Sequence, residues 1–300
     1  MATGSLPPFV YGLALVPAVL WGLSPILSKR GMAAGGSSLQ ASLTVVIVDS
    51  AIYWLVLVGF TKSGRLFAGV DLTSLGVFVV AGIVGTALGR LAVFAGVDRV
   101  GASINSAGIS TRPLFATTIA FLWLGETVGP LTVVGVVVLV IGLVVLTLAK
   151  GGDITGWQPR DLLFPLAAAF TFALGNVIRR FGLTRTDVTT LQAVTLNETA
   201  ALVALLGYAV AVNRVDVLRA PPRTYVYFAG SGLLTAVALL SLFEAFDRAP
   251  VAIVDSLGGT APLFTTVFSY FLLKDLERVT RGVVIGAGLI VIGATLITVV

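Results

Sequence analysis

The chain has no cysteine and no histidine, and only 11% of its residues are charged. Without cysteine there are no disulfides and no thiol chemistry. Without histidine there is no imidazole proton shuttle and no Cys/His zinc site. Soluble domains carry about 25% charged residues, so the low charge also excludes an ordinary solvated surface. The 19 basic and 14 acidic residues leave a net charge of +5. The basic ones stand singly or in pairs between apolar runs, as in membrane loops. That distribution excludes nucleic acid as a partner. No phosphate-binding glycine loop and no acidic cluster at metal-ligand spacing occurs. No catalytic residue, metal or cofactor is therefore expected, and the chain is not read as an enzyme.

What remains is strongly apolar: 57% hydrophobic residues over 300 positions and a mean hydropathy of +1.04. A span needs about 20 mostly apolar residues, and the spacing predicts ten. They cover Phe9–Ser28, Ala41–Phe60, Thr73–Ala95, Ala102–Leu124, Leu131–Ala149, Leu162–Ile178, Thr190–Val212, Thr224–Phe246, Val251–Leu273 and Thr280–Val299. The N-terminal MATGSLPPF lacks the basic region of a signal peptide, so the first run is read as a retained span. The predicted class is an all-α integral membrane protein.

An internal repeat organises these spans. DRVGASINSAGISTRPLFATT at Asp98–Thr118 returns 149 residues later as DRAPVAIVDSLGGTAPLFTTV at Asp247–Val267. IVDSAIYWLVLVG echoes TLNETAALVALLG, which sets Asp49-Ser50 opposite Asn197-Glu198. Leu39-Gln40 echoes Leu191-Gln192, and Glu126 falls opposite Glu277. The chain divides into halves, 1–150 and 151–300, of five helices each. Five is odd, so the second half enters the membrane in the opposite sense, a hallmark of secondary transporters with a site near the midplane.

Ten helices as 5+5, Trp21-Gly22, the two Pro-Leu-Phe triplets and Gly125-Glu126 resemble the drug/metabolite transporter superfamily, in particular its EamA-like members. The resemblance covers essentially the whole chain. It implies a secondary carrier of amino acids, metabolites or drugs, with a central cavity between the halves and cytoplasmic termini in a cell membrane.

Polar groups inside a bilayer cost a few kcal/mol each and mark sites. Arg112, Asn105, Arg90, Asp255, Asn176 and Trp21 are the candidate substrate-binding residues. Asn105, Gly108 and Arg112 share one helical face at i, i+3 and i+7. Arginine's planar fork suits a carboxylate or phosphate, so Arg112 and Arg90 point to an organic anion or an amino acid. Asp49 and Glu198 are candidates for proton or other ion coupling, or for holding a substrate amine. Glu244 is a further acidic residue near a predicted helix end. Pro113 and Pro262 each remove one helix hydrogen bond and are expected to kink their helices. Internal pairing of the arginines with the carboxylates is the plain alternative.

The expected partners are a small-molecule substrate, the lipid bilayer, and a proton or an exchange substrate. The protein is expected as a monomer or a homodimer, with the GxxxG pairs Gly85–Gly89 and Gly282–Gly286 serving intrachain packing first. A scaffold or receptor without transport, or a membrane-embedded enzyme, is the alternative function. Orientation is contested. Lys29, Arg30, Arg99, Lys150, Arg160, Arg214, Arg219, Arg223, Lys274, Arg278 and Arg281 fall on the face away from the termini. Only Lys62, Arg65, Arg179, Arg180, Arg185 and Arg248 fall on the other. Positive-inside counting thus opposes the cytoplasmic termini that the resemblance implies.

Overall fold

A computed structural model describes residues 6–62, 65–149, 157–213, 219–272 and 280–298. Among them every regular element is helical. In chain order they are α1 (Pro8–Ala33), α2 (Ser38–Phe60), α3 (Leu72–Ala81), α4 (Gly89–Ile109), α5 (Arg112–Ile119) and α6 (Pro130–Leu148). There follow α7 (Leu163–Arg185), α8 (Thr190–Ala211), α9 (Pro222–Arg248), α10 (Val251–Gly258), α11 (Ala261–Leu272) and α12 (Arg281–Thr298). A π-helical stretch, Gly82–Leu88, fuses α3 to α4, and another, Ala120–Leu124, ends α5. Among the described residues seven helical segments are long and apolar enough to cross a bilayer. The other three spans are the broken ones around α5 and around α10–α11, and the shorter α12.

Three boundaries differ from the sequence expectation. The predicted connection before Ala102 keeps helical hydrogen bonding, α4 extending from Gly89 to Ile109. Yet a Cβ on Gly96 would fall on Asn105 Oδ1, although nine residues of straight helix would separate them by about 13 Å. The chain therefore reverses within this helical stretch. Second, α7 continues past Ile178 to Arg185, which brings Arg179 and Arg180 into a helix instead of a loop. Third, both prolines interrupt their helices outright. α4 ends at Ile109 and α10 at Gly258, the residues whose carbonyls Pro113 and Pro262 leave without a donor.

The two breaks repeat bond for bond. Thr111 N and Oγ1 reach Gly108 O, Leu114 N reaches Thr111 O, and Ser110 N reaches Ser106 O. Thr260 N and Oγ1 reach Leu257 O, Leu263 N reaches Thr260 O, and Gly259 N reaches Asp255 O. Each threonine hydroxyl adds a donor where the helix ladder fails, which the bilayer interior demands. Of the two prolines inside α1 that sequence reading passed over, Pro17 and Pro25, the first is answered likewise: Ser241 Oγ donates to the freed Leu13 carbonyl at 2.9 Å.

The inverted halves also clasp each other in matched pairs. Ser37 and Gln40 form a capping box at the start of α2, and Thr189 and Gln192 form one at the start of α8. Gln40 Nε2 then donates to Arg219 O ahead of α9, and Gln192 Nε2 donates to Leu66 O and Ala68 O ahead of α3. Gly31 of α1 packs on Phe228 of α9, and Gly182 of α7 packs on Phe78 of α3. These equivalents lie on opposite membrane faces, as two inverted repeats require.

The glycine pairs serve packing within the chain. Gly135 and Gly142 of α6 interlock with Gly286 and Gly293 of α12, each notch admitting the other helix's backbone, and Gly282 meets Ala149. Gly85 lies against Gly175 of α7, and Gly89 against Phe172. The outer faces of α6 and α12, with Val134, Ile141, Val284 and Val291 exposed, are left for hydrocarbon.

Candidate functional site

Where the halves cross, the π-helical stretch Gly82–Leu88 is pressed between α7 and α8. A Cβ on Gly85 would lie 2.6 Å from Gly175 Cα, and one on Gly82 would strike Asn197 O. Only glycine allows this approach, and the widened turn delivers Thr86 into the contact; π-bulges often mark functional sites.

Arg179 of α7 lies at this crossing, 4% exposed. Its Nε donates to Asn197 Oδ1 at 3.1 Å, its Nη1 to Asn176 Oδ1 at 2.6 Å and its Nη2 to Thr86 Oγ1 at 2.7 Å. Its guanidinium lies 5.4 Å from the centre of the Phe243 ring. Thr86 Oγ1 in turn donates to Glu198 Oε1 at 3.1 Å, and Asn197 Nδ2 donates to the same oxygen at 2.7 Å. On the other side Asn176 Nδ2 donates to Asp255 Oδ1 at 2.5 Å. Arg112 Nε lies 3.1 Å from the Asp255 carboxylate, and Arg112 Nη2 donates to Asp255 O at 3.4 Å. One connected network thus runs from Arg112 through Asp255, Asn176, Arg179, Thr86 and Asn197 to Glu198, across both halves.

The network forms the floor of a cavity of about 520 Å³, within the range of small-molecule sites. Trp21, Pro25, Phe172, Leu239 and Leu242 supply apolar wall, and Arg90, Arg112, Asn176, Arg179 and Glu198 supply polar wall. The lining begins at Met32 and Ser42, near the α1–α2 connection, and descends to Arg179 and Leu242. The cavity therefore faces the side away from the termini. Toward the opposite side, contacts among the described residues tie α7 to the start of α10. Glu126 accepts from Arg180 Nε at 3.1 Å and from Val251 N at 2.8 Å, so it caps α10 while gripping α7. Arg180 also donates to Phe246 O, and Trp123 stacks on Phe181 at 5.8 Å.

The expected residues are distributed unevenly around this cavity. Arg112, Arg90, Asn176, Trp21 and Glu198 line it. Asp255 is fully buried behind Arg112, and Asp49 is fully buried beside Glu198 and Arg90, its electrostatic neighbours. The helix breaks at Ser110–Thr111, between Asn105 and Arg112. Asn105 lies against Gly96, and Gly108 against Pro165. Arg112 is paired with Asp255 through Nε and Nη2 while it lines the cavity. Glu244 pairs locally with Arg248 one turn along α9. Glu277, opposite Glu126 in the repeat, lies outside the described residues. Arg179, Thr86 and Asn197 complete the network and were not among the site residues expected from the sequence. Outside the membrane-spanning segments, backbone N–H donation from Ser74 and from Gln158 holds Asp71 and Asp161 below the usual carboxylate range.

The family model for the EamA-like transporter family matches residues 8–148 and again 160–299. A protein of Clostridium kluyveri called an uncharacterized transporter is 29% identical over 133 residues. That match spans 44% of this chain and 42% of the relative, less than half of its length. A solved crystal structure superposes with a TM-score of 0.75 at 20% identity, over 97% of this chain and 98% of that one, and so shares the fold.

The Arg112–Asp255 pair has a measurable signature. Breaking a buried pair from one side costs about 3–5 kcal/mol, so Arg112→Gln and Asp255→Asn are each expected to lower the unfolding midpoint of the detergent-solubilised chain. The double variant should lose at least ~1 kcal/mol less than the summed singles; simple additivity would show that the two groups do not interact. With two matches that together cover nearly the whole chain, this multi-pass membrane protein belongs to the EamA-like transporter family, a family of carriers rather than enzymes.

Proposed function

We propose that the chain is a secondary carrier that moves a small anionic metabolite, an organic anion or an amino acid, by alternating access. Its two inverted halves, 1–150 and 151–300, rock about the buried network. The observation that carries the reading is Arg90. It lines the cavity, and among the described residues it is the lining arginine with no hydrogen bond or ion pair to another side chain. Arg112 and Arg179 spend their donors on Asp255, Asn176, Asn197 and Thr86, so they set the field of the site while Arg90 meets the substrate's anionic group. Glu198 Oε2 is buried without a hydrogen-bond partner on the same cavity wall. It offers a second, anionic contact for a substrate amine, which would suit an amino acid. Trp21, Phe172 and Leu239 supply the apolar surface that covers the rest of such a ligand. A scaffold or receptor needs no ligand-sized cavity at the midplane, and the cavity favours the carrier. Ion-gradient drive or exchange fits the chain, which carries no nucleotide-binding loop.

We place both termini in the cytoplasm of the cell, as the resemblance to the family implies, so the cavity faces outward. Arg179 drops out of the loop-charge count because it is buried at the midplane, yet the remaining count still opposes this orientation. The chain acts as a monomer or a homodimer; the glycine notches of α6 and α12 are already filled from within the chain.

A thermal-shift screen of the solubilised chain over amino acids, organic acids and phosphorylated metabolites is expected to return anionic compounds as stabilisers. Flux of the best stabiliser into proteoliposomes should fall at least about tenfold in Arg90→Ala, as for loss of a charged contact; wild-type kinetics in that variant would remove Arg90 from the site. For orientation, Ser28→Cys in intact cells is expected to react with a membrane-impermeant maleimide from outside. Protection of that cysteine in cells, with reaction in inverted vesicles, would reverse the assignment.

A further inference from the structure

Asp49 stands at the middle of α2, eleven residues from either end of the Ser38–Phe60 helix. Its side chain is 0% exposed, and neither carboxyl oxygen has a hydrogen-bond partner; the adjacent Ser50 Oγ has none either. A carboxyl group left so bare is costly to keep ionised in a low-dielectric interior unless a counter-charge stands near. The charges that face it are Glu198 from α8 and Arg90 from α4. Tyr53, one turn along α2, uses its hydroxyl on Ala236 O at 2.7 Å, and Arg179 from α7 acts electrostatically on that tyrosine. Leu43 and Val46 of α2 pack with Ala87 and Leu91, which flank Arg90, and with Ala201 and Leu205 of α8. The three helices that bring Asp49, Arg90 and Glu198 together thus form one packed unit.

Charge counting at this site has a consequence. Arg112 is matched by Asp255, and Arg179 by Glu198 through Thr86 and Asn197. Asp49 and Arg90 are left over, one fully buried and bare, the other lining the cavity. With Asp49 ionised, three arginines balance three carboxylates and an arriving anion finds no excess positive charge. With Asp49 protonated, one positive charge is uncompensated, and it sits on Arg90 at the cavity wall. An anion held on Arg90 restores the balance.

We propose that Asp49 is a proton site coupled to anion binding at Arg90, so that one proton travels with each anion in the same direction. The inference rests on the reading of Arg90 as the anion contact. The proton comes from water on the side that the cavity faces and is released to water on the other side, and no other reactant is needed. Glu198 lines the cavity and carries a free Oε2, which makes it the relay between cavity water and Asp49. The coupling is reciprocal: whatever the proton adds to anion affinity, the anion adds to proton affinity.

The test is an infrared pH titration of the full-length chain in detergent. It follows the carbonyl stretch of a protonated carboxylic acid and assigns Asp49 by the loss of that band in Asp49→Asn. In Arg90→Gln the midpoint of the band is expected to move to higher pH, a gain of about tenfold or more in proton affinity from losing a nearby positive charge. Where R90Q alone does not fold, the double variant R90Q/E198Q, compared with E198Q, gives the same reading with the charge balance kept. An unchanged midpoint in these comparisons, or no Asp49-dependent band at any pH, overturns the proposal. Adding benzenesulfonate, which stays anionic throughout, is expected to raise the wild-type midpoint and to leave that of R90Q unchanged. A midpoint that moves with R90Q while no anion stabilises the chain in the thermal-shift screen would overturn the anion reading and leave Asp49 as a proton site.

Discussion

Arg179 is the constraint on which the rest of the molecule depends. A guanidinium at the middle of a membrane bundle must have its donors met within the protein, and three residues, Thr86 and Asn197 from two other elements and Asn176 from its own helix, converge to do so. Thr86 reaches it only because the π-helical turn and the glycine contact of Gly85 with Gly175 bring α3–α4 close to α7. Asn197 and Glu198 reach it because Gly82 lets α8 approach the same turn. Asn176, one turn back on α7, passes the interaction to Asp255 and hence to Arg112. The crossing of the halves, the cavity floor and the pairing of the ionisable groups therefore have one cause.

Symmetry sets the frame and its breaking makes the site. The paired threonines at the helix breaks, the two glutamine clasps and the two glycine–phenylalanine contacts repeat across the halves with little change. The charged groups of the central pair do not repeat. Arg112 stands where the second half has Ala261, and Asp255 where the first has Ser106, so one half supplies the cation and the other the anion of a single pair. A network of this kind holds the inverted halves together where they cross. In the present arrangement one face admits the cavity, and toward the other Glu126 and Arg180 tie α7 to the start of α10.

Much of this was legible in the sequence. The ten apolar runs, the inverted repeat and the prolines follow from composition and spacing, because span length and the missing proline donor are local properties. Asp49, Glu198, Arg112, Arg90, Asn176 and Asp255 stood out as polar groups within those runs. Arg179 did not, because the search for apolar runs ended the sixth span at the first basic pair, and charge alone cannot tell a buried guanidinium from a loop residue. Thr86 and Asn197 look ordinary until a π turn and two glycine contacts bring them together. The interruption at Ser110–Thr111, which falls between Asn105 and Arg112, was read only as a kink at Pro113. The tie made by Glu126 depends on contacts with residues 54 and 125 positions away, which no local pattern encodes.

The central claim is that the cavity above Arg179 belongs to a carrier that exposes it to each face in turn. The chain has no cysteine of its own, so a single Thr235→Cys on the cavity wall reports without background. Reconstituted in oriented proteoliposomes, that cysteine should react with a membrane-impermeant maleimide added on either face, faster on the face that the cavity now meets. Reaction from one face alone, unchanged by any stabilising solute, would contradict alternating access through this cavity.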